Sequence, residues 1–224
     1  MADKTTNEPG WLYKTTQRAY YEYPGCFVKR SLRPSEYWIV GEGESIVPTL
    51  GVERLQNEAA TLQFVREKTN IPVPMVYGAM MIDDVYFLVT EKMVGVTLYE
   101  LPEDQKELVW PEIEQHLATL HDIKSTVLGG PSGLVIPPYR ALFVTKGAVL
   151  SQQKIDTPDY VFCHNDLSQH NIIVDLDTLK VVAILQGWTG NTRAFSRHTL
   201  RALSIKEVVH RGRWKGRWTI SINC

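Results

Sequence analysis

The side chains best suited to chemistry lie in one polar run, HNDLSQHN, which spans residues 164–171. Asp166 can accept the proton of an attacking hydroxyl group. Asn171 can offer its amide oxygen to Mg²⁺, a hard cation that prefers oxygen ligands. This pair suits phosphoryl transfer, in which a protein mainly positions groups and neutralises charge. A polar turn, with Asp and Asn present only for turn formation, is the structural alternative.

The polar run leads directly into a segment that predicts a β-hairpin. Two apolar stretches, residues 172–174 and 179–185, are separated by Asp175-Leu176-Asp177-Thr178. β-Branched residues on both sides of a short Asp-containing turn are typical of a tight hairpin. Such a hairpin would hold the polar run as a loop on a rigid support.

Two charged residues upstream lie within predicted secondary structure. Residues 26–32 predict a strand with Lys29 in its middle, and residues 50–69 predict a helix with Glu58 beside its apolar stripe. That stripe consists of Leu55, Ala59, Leu62 and Val65. Two prolines soon after the helix would end it. An exposed strand lysine and a solvated helical glutamate are the structural alternatives.

The next segments predict a hairpin and a second helix. Residues 75–91 read as two strands around Asp83-Asp84, and Gly95 would permit a tight exit from the second strand. Apolar residues at helical spacing predict a helix over residues 101–125. His116 and His121 lie on it, but without a third ligand at helical spacing we interpret both as structural.

The pattern H-x-D-x-x-x-x-N followed by a hairpin resembles the aminoglycoside phosphotransferase-like (choline kinase-like) family of the protein-kinase fold. Lys29, Glu58 and the run Ile71-Pro72-Val73-Pro74 support the resemblance, because they follow in the family's order. The segment HNDLSQHNIIVD is similar in sequence to fungal members of this family. The matched region covers residues 26–185.

The resemblance implies a role for each matched residue. Asp166 would be the catalytic base, His164 would brace the loop, and Asn171 would bind Mg²⁺. Lys29 would contact the α- and β-phosphates of ATP, and Glu58 would hold it in place. Hinge backbone at Glu91 to Met93 would bind the adenine edge.

The same resemblance exposes two departures from the family pattern. Gln186 stands where the family has the Asp that is its principal Mg²⁺ ligand, and a neutral amide is a poorer partner for that ion. We also find no glycine-rich hairpin near the N-terminus to cover the phosphates. Either that hairpin is missing or it is built without glycines.

The match stops after Gln186, and the charge changes at the same point. Residues 187–224 carry eight Lys and Arg residues against Glu207 alone, although the whole chain has a net charge of −1. We interpret this segment as a basic tail outside the family pattern, produced by a shifted reading frame or a retained intron. We do not expect nucleic-acid binding by this tail.

The resemblance therefore implies an α+β, two-lobed protein-kinase-like fold with an incomplete C-lobe. We expect an N-lobe over residues 1–94 and a C-lobe core over residues 95–186, with the catalytic loop at 162–171 and the hairpin at 171–185. The chain carries no membrane-spanning apolar run, and its three cysteines are far apart and odd in number. We therefore expect a cytoplasmic protein without a membrane partner.

The implied function is ATP-dependent phosphoryl transfer to the hydroxyl of a small molecule. ATP and Mg²⁺ would be the cofactors, with a weakened metal site because of Gln186. The alternative is a catalytically inactive kinase-like protein that binds a nucleotide or a partner. The acceptor cannot be named from these residues.

Overall fold

A five-stranded antiparallel sheet forms the first lobe, with the strand order β1-β2-β3-β7-β6. The computed structural model describes residues 8–137, 154, 156–157, 160–164, 166–185, 188–193 and 219–220. The sheet strands are β1 (Trp11–Lys14), β2 (Arg18–Tyr23), β3 (Cys26–Ser31), β6 (Val76–Ile82) and β7 (Val85–Glu91). A separate ribbon is made of β4 (Trp38–Val40) and β5 (Glu44–Ile46).

Helix α1 (Gly51–Lys68) lies close to this sheet, near the strands β3, β6 and β7. The four residues of its expected apolar stripe are all buried. The helix ends at Thr69, whose N–H and Oγ1 both donate to the carbonyl of Val65, at 3.0 and 2.7 Å. The expected helix over residues 50–69 is confirmed.

The hairpin between β6 and β7 turns through two residues, Asp83 and Asp84, with φ angles of 47° and 61°. Two consecutive left-handed residues give the twist that a tight hairpin requires. Gly95 follows with φ 146°, and a Cβ there would lie 2.6 Å from the carbonyl oxygen of Val174. Only glycine therefore allows the chain to pass this close to the second lobe.

The second lobe combines short strands with one long helix. Its elements are β8 (Val96–Thr97), α2 (Glu103–Asp122), β9 (Lys124–Ser125), β10 (Tyr160–His164), β11 (Leu167–Ser168), β12 (Ile172–Val174) and β13 (Val181–Ile184). Strands β12 and β13 form the expected hairpin, and β8 pairs with the other edge of β12. A shared core joins the lobes, in which the rings of Phe64 and Phe162 stack with centroids 5.3 Å apart.

Helix α2 covers most of the region expected to be helical. Pro111 lies inside this helix. His116 is buried on this helix, with Nε2 3.8 Å from Oε1 of Glu112. Within the described ranges, no cluster of three acidic, His or Cys side chains could hold a metal ion. Neither α1 nor α2 has the length and apolar composition needed to cross a membrane.

The segment after Gln186 contributes two short strands that pair with strands of the second lobe. Strand β14 (Trp188–Arg193) pairs antiparallel with β10, and β15 (Thr219–Ile220) pairs with β11. The backbone of β14 thus completes the sheet that carries the polar run. Gln186 and most of the remaining tail lie outside the described residues.

Candidate functional site

Lys29 and Glu58 meet in a buried ion pair between the sheet and α1. Lys29 lies in the middle of β3, opposite Tyr20 of β2 and Leu88 of β7. Its Nζ donates to Oε1 of Glu58, and the side chains are 10% and 5% exposed. Both residues are held by regular secondary structure, so the position of the amine is fixed.

Arg18 is a second cation on the same carboxylate. Its Nη1 lies 2.9 Å from Oε2 of Glu58, so each carboxylate oxygen binds one cation. Burial alone would raise the pKa of the Glu58 carboxyl, but the charges of Lys29 and Arg18 hold it below its usual range. Burial lowers the pKa of the Lys29 amine, Glu58 opposes this, and Arg18 adds to the lowering.

The hairpin between β1 and β2 is present and is built without glycine in its turn. The turn contains Thr15, Thr16 and Gln17. Oγ1 of Thr15 accepts the backbone N–H groups of Gln17 and Arg18, each at 3.2 Å. These bonds close the turn through a side chain, as threonine hydroxyls can. Of the two alternatives left by the sequence, the structure has the hairpin without glycines.

His164 braces the polar run from its fully buried position at the end of β10. Its Nδ1 accepts the backbone N–H of Asp166 at 3.2 Å, and its Nε2 lies 3.1 Å from the carbonyl oxygen of Leu185. Because Nδ1 must accept, we assign the proton to Nε2, which donates to Leu185. One imidazole thus ties the loop to the end of the β12–β13 hairpin.

Asn171 holds Asp166 in place within the polar run. Its Nδ2 donates to the backbone oxygen of Asp166 at 2.7 Å and to the carboxylate Oδ2 at 3.2 Å. Asn171 is buried, whereas Asp166 is exposed. The carboxylate is therefore oriented from within the protein while remaining open to a substrate.

A cavity of about 350 Å³ lies between the lobes and brings three of these residues together, whereas Arg18, His164 and Asp166 are not part of its lining. Lys29 and Glu58 line it from the first lobe, and Asn171 lines it from the polar run. Its apolar and aromatic walls come from Tyr13, Tyr20, Phe27, Leu62, Pro74, Ile173 and Leu185. This combination of flat apolar walls and a few charged groups is typical of a small-molecule site.

The expected hinge forms one end of the same cavity. Glu91 and Met93 both line it, together with Lys92. The backbone of Glu91 donates to Met75 at 2.8 Å, and Lys92 donates to Gly25 at 3.2 Å, which anchors the hinge to the neighbouring turn and strand. Nζ of Lys92 also binds Glu22 at 2.6 Å, an exposed pair that sequence reasoning did not single out.

The described residues do not fit a Mg²⁺ site. Asn171 offers one neutral amide oxygen, since its nitrogen is committed to Asp166. In the part of the chain that the structure describes, no three acidic, His or Cys side chains stand together as ligands. A divalent cation prefers several oxygen ligands, and carboxylates above all. Gln186, which the resemblance places here, lies outside the described residues.

Comparisons with known proteins provide evidence about the fold. The sequence matches no family model and no curated protein. Among solved structures, it is similar to the aminoglycoside phosphotransferase APH(3'')-Id from Streptomyces rimosus. The TM-score is 0.56 at 16% identity, with 95% of this chain and 89% of that chain covered. A second structure of that enzyme contains ADP and streptomycin.

Two further phosphotransferases resemble this chain to a similar degree. A type VIII aminoglycoside-3'-phosphotransferase matches with a TM-score of 0.52 at 19% identity, over 92% of this chain and 81% of that chain. The GDP and kanamycin complex of an APH(2") enzyme matches with a TM-score of 0.55 at 11% identity, over 80% and 66%.

These likenesses confirm the expected α+β, protein-kinase-like fold. At such low identity they extend to the fold alone. They give no support to a fungal type. Because the alignment covers 89% of the Streptomyces rimosus enzyme, they also do not support the expected loss of the end of the C-lobe.

Proposed function

We propose that the protein is an aminoglycoside phosphotransferase-like kinase, which binds ATP between its lobes and transfers the γ-phosphoryl group to a small-molecule hydroxyl. The observation that carries the proposal is the Lys29–Glu58 pair, which opens into the same cavity as Asn171. Three residues far apart in sequence thus surround a space of nucleotide size. The ADP and GDP complexes of the neighbouring structures support a purine nucleotide as the occupant.

The adenine ring would lie between the apolar walls, with its edge at the backbone of residues 91–93. Its triphosphate would extend toward Lys29, whose position is fixed by Glu58. Phe27 and Ile173 both line the cavity between these ends. Flat apolar side chains above and below a purine provide contact area without demanding a specific hydrogen-bond pattern.

The chemical step would depend on Asp166. Its carboxylate would accept the acceptor's hydroxyl proton as that oxygen attacks the γ-phosphorus atom. The bond from this phosphorus to the bridging oxygen breaks, and ADP leaves with the electron pair. His164 and Asn171 serve as positioning residues, because each binds Asp166 directly. An exposed base suits an acceptor that arrives from solvent.

The acceptor would be a polyhydroxylated small molecule. Streptomycin and kanamycin appear in the neighbours' complexes, so aminoglycosides are the first class to test here. Asp166 is exposed beside the cavity, where an acceptor can reach it.

A second candidate is nucleotide binding without turnover. The poor fit of the described donor set to Mg²⁺ favours it, because phosphoryl transfer normally relies on that ion to neutralise the phosphates. Both candidates share the nucleotide site. They differ in whether the bound nucleotide is consumed.

One experiment tests the site and separates the two candidates. ATP and GTP are titrated into the full chain by calorimetry, and ATP consumption is then followed with a panel of aminoglycosides. Saturable binding supports the nucleotide site, and consumption lost in Asp166→Asn supports the kinase. Binding without consumption leaves the second candidate, and the absence of binding in every buffer rejects both.

A further inference from the structure

We propose that the protein holds its nucleotide without a divalent metal ion, with Arg18 supplying positive charge behind Lys29. This inference rests on the proposed nucleotide site. It concerns how that site neutralises phosphate, which neither the fold nor the comparisons assign.

Three acidic side chains line the cavity, and each is already engaged. Glu58 binds two cations, one on each oxygen. Glu22 accepts Nζ of Lys92 at 2.6 Å, and Oε2 of Glu91 accepts the backbone N–H of Met75 at 3.2 Å. A metal ion at Glu58 would have to displace Lys29 or Arg18. The cavity walls therefore offer a divalent cation poor ligands.

The polar run adds little to that set. Asn171 has a neutral amide, and its nitrogen donates to both the backbone and the carboxylate of Asp166. Asp166 is exposed and lies outside the cavity lining. One amide oxygen and one solvated carboxylate do not replace the several oxygen ligands that Mg²⁺ prefers. Within the described residues, the phosphates must be neutralised by protein cations.

Arg18, Lys29 and Glu58 provide the required charge. Two cations share one carboxylate, so the three side chains together carry one positive charge in excess. All three are almost completely buried, with side chains 12%, 10% and 5% exposed. Buried charges are screened weakly by water, so the field of this group reaches the cavity.

Arg18 acts through Glu58 rather than by touching the phosphates. Glu58 shares its negative charge between Arg18 and Lys29. The positive charge of the Lys29 amine is therefore less fully compensated than it would be if Lys29 were the partner of Glu58 by itself. The repulsion between Arg18 and Lys29 also contributes to the lowered pKa of the Lys29 amine. An anion placed at Lys29 would relieve this repulsion. Arg18 is thus a positioning and charge-supplying residue for a phosphate group.

The test compares ATP binding by the full chain in EDTA and in Mg²⁺. We expect the two dissociation constants to agree within about threefold, because the protein offers the ion few ligands beyond the phosphates of ATP itself. Binding only in Mg²⁺ would overturn the inference and leave the proposed nucleotide site intact. Binding in neither buffer would reject the nucleotide site and this inference together.

Three variants then test whether the positive charge of Arg18 contributes to ATP binding. In EDTA, Arg18→Gln should weaken ATP binding roughly tenfold or more, and Arg18→Lys, which keeps the charge, should bind within about threefold of the parent. Arg33→Gln is the control, because Arg33 pairs with Glu8 and Glu36 rather than with Glu58, and neither Arg33 nor these two partners line the cavity. It should bind ATP like the parent.

Thermal melting of each variant shows whether it is folded. If Arg18→Gln does not fold, Arg18→Met replaces it as the neutral variant, and the comparison of EDTA with Mg²⁺ still tests binding without a metal ion. ATP affinity that is unchanged in folded Arg18→Gln would overturn the role of Arg18. The same holds if Arg33→Gln loses as much affinity.

Discussion

Glu58 of α1 binds Lys29 of β3 across the first lobe, and the same carboxylate also receives Arg18 of β2. The pair with Lys29 joins residues that are 29 positions apart in the chain. It is nearly excluded from solvent, so it holds the amine at one place in the cavity. The effect of replacing Lys29 and the acid sensitivity of Glu58 both depend on this contact.

Replacing Lys29 by Met should weaken nucleotide binding roughly ten- to a hundredfold, because a buried cation facing a phosphate is lost. Calorimetric titration with ATP measures the change. Glu58 keeps Arg18 as a partner, so the fold should survive. Lys68→Met is the control, since Lys68 is exposed and pairs only locally with Glu67. Equal affinity in Lys29→Met and the control would contradict the placement of the phosphates.

Acid should weaken the contribution of Glu58 to stability. Its folded-state pKa lies below the ordinary 4.5, so the stabilisation is complete above pH 4.5 and is lost as the pH falls toward the folded value. We therefore expect the difference in unfolding free energy between the parent and Glu58→Gln to shrink below pH 4.5. Urea unfolding at a series of pH values measures it. A constant difference from pH 7 to 3.5 would contradict this account.

A second buried ion pair, between Arg30 and Glu36, leads to a prediction about stability alone. Arg30 is fully buried, and its Nη1 and Nη2 each lie 2.6 Å from an oxygen of Glu36. Glu36→Gln should destabilise the protein by about 3 kcal/mol, because the buried guanidinium loses its two close contacts to a carboxylate and keeps only Glu8, 3.6 Å away. Chemical denaturation measures the loss.

The control for this prediction is the exposed pair of Glu67 and Lys68, whose side chains are 70% and 53% exposed. Glu67→Gln should change stability by less than about 1 kcal/mol. Replacing Arg30 and Glu36 together by Met and Leu should restore part of the loss, since no buried charge then remains unpaired. If the double variant is the least stable, the loss in Glu36→Gln has another cause.

The sequence was sufficient to predict the parts of the site that depend on local pattern. Lys29 sits in a strand with alternating neighbours, Glu58 beside a helical apolar stripe, and Asp166 in a loop before a hairpin. Each position follows from periodicity and turn chemistry within about twenty residues. The resemblance then placed them in one cavity, and the structure does bring Lys29, Glu58 and Asn171 there.

Arg18 and the pairing of β14 escaped prediction for the same physical reason. Arg18 meets Glu58 because of the register of β2 on β3, and that register is set by pairing rather than by any signal at residue 18 itself. Strand β14 joins β10 through contacts about 28 residues apart, which a local reading cannot anticipate. Its basic composition suggested a tail, whereas backbone hydrogen bonds do not depend on side-chain charge.

The last prediction concerns Gln186 and joins the two proposals. The resemblance places the family's Mg²⁺-binding Asp at this position, so Gln186 would cost the ion an attraction on the order of several kcal/mol at an effective dielectric constant near 20. Every 1.4 kcal/mol is about tenfold in rate, so phosphoryl transfer should be several orders of magnitude below ordinary kinase rates. A coupled assay of ADP release, with the aminoglycoside panel, measures it. Ordinary kinase rates that are abolished by Asp166→Asn would contradict this account of Gln186.

Gln186→Asp should reverse the metal dependence of nucleotide binding. In EDTA the added negative charge repels the phosphates, so ATP should bind more weakly than to the parent. In Mg²⁺ the new carboxylate supplies a hard ligand, so ATP should bind more tightly, and binding should recover before turnover does. Gln186→Glu is a useful second variant, since it adds the same charge on a longer side chain and should repeat the loss in EDTA with a smaller gain in Mg²⁺. If Gln186→Asp binds ATP equally in both buffers, residue 186 does not face the phosphates. The low turnover must then have another source.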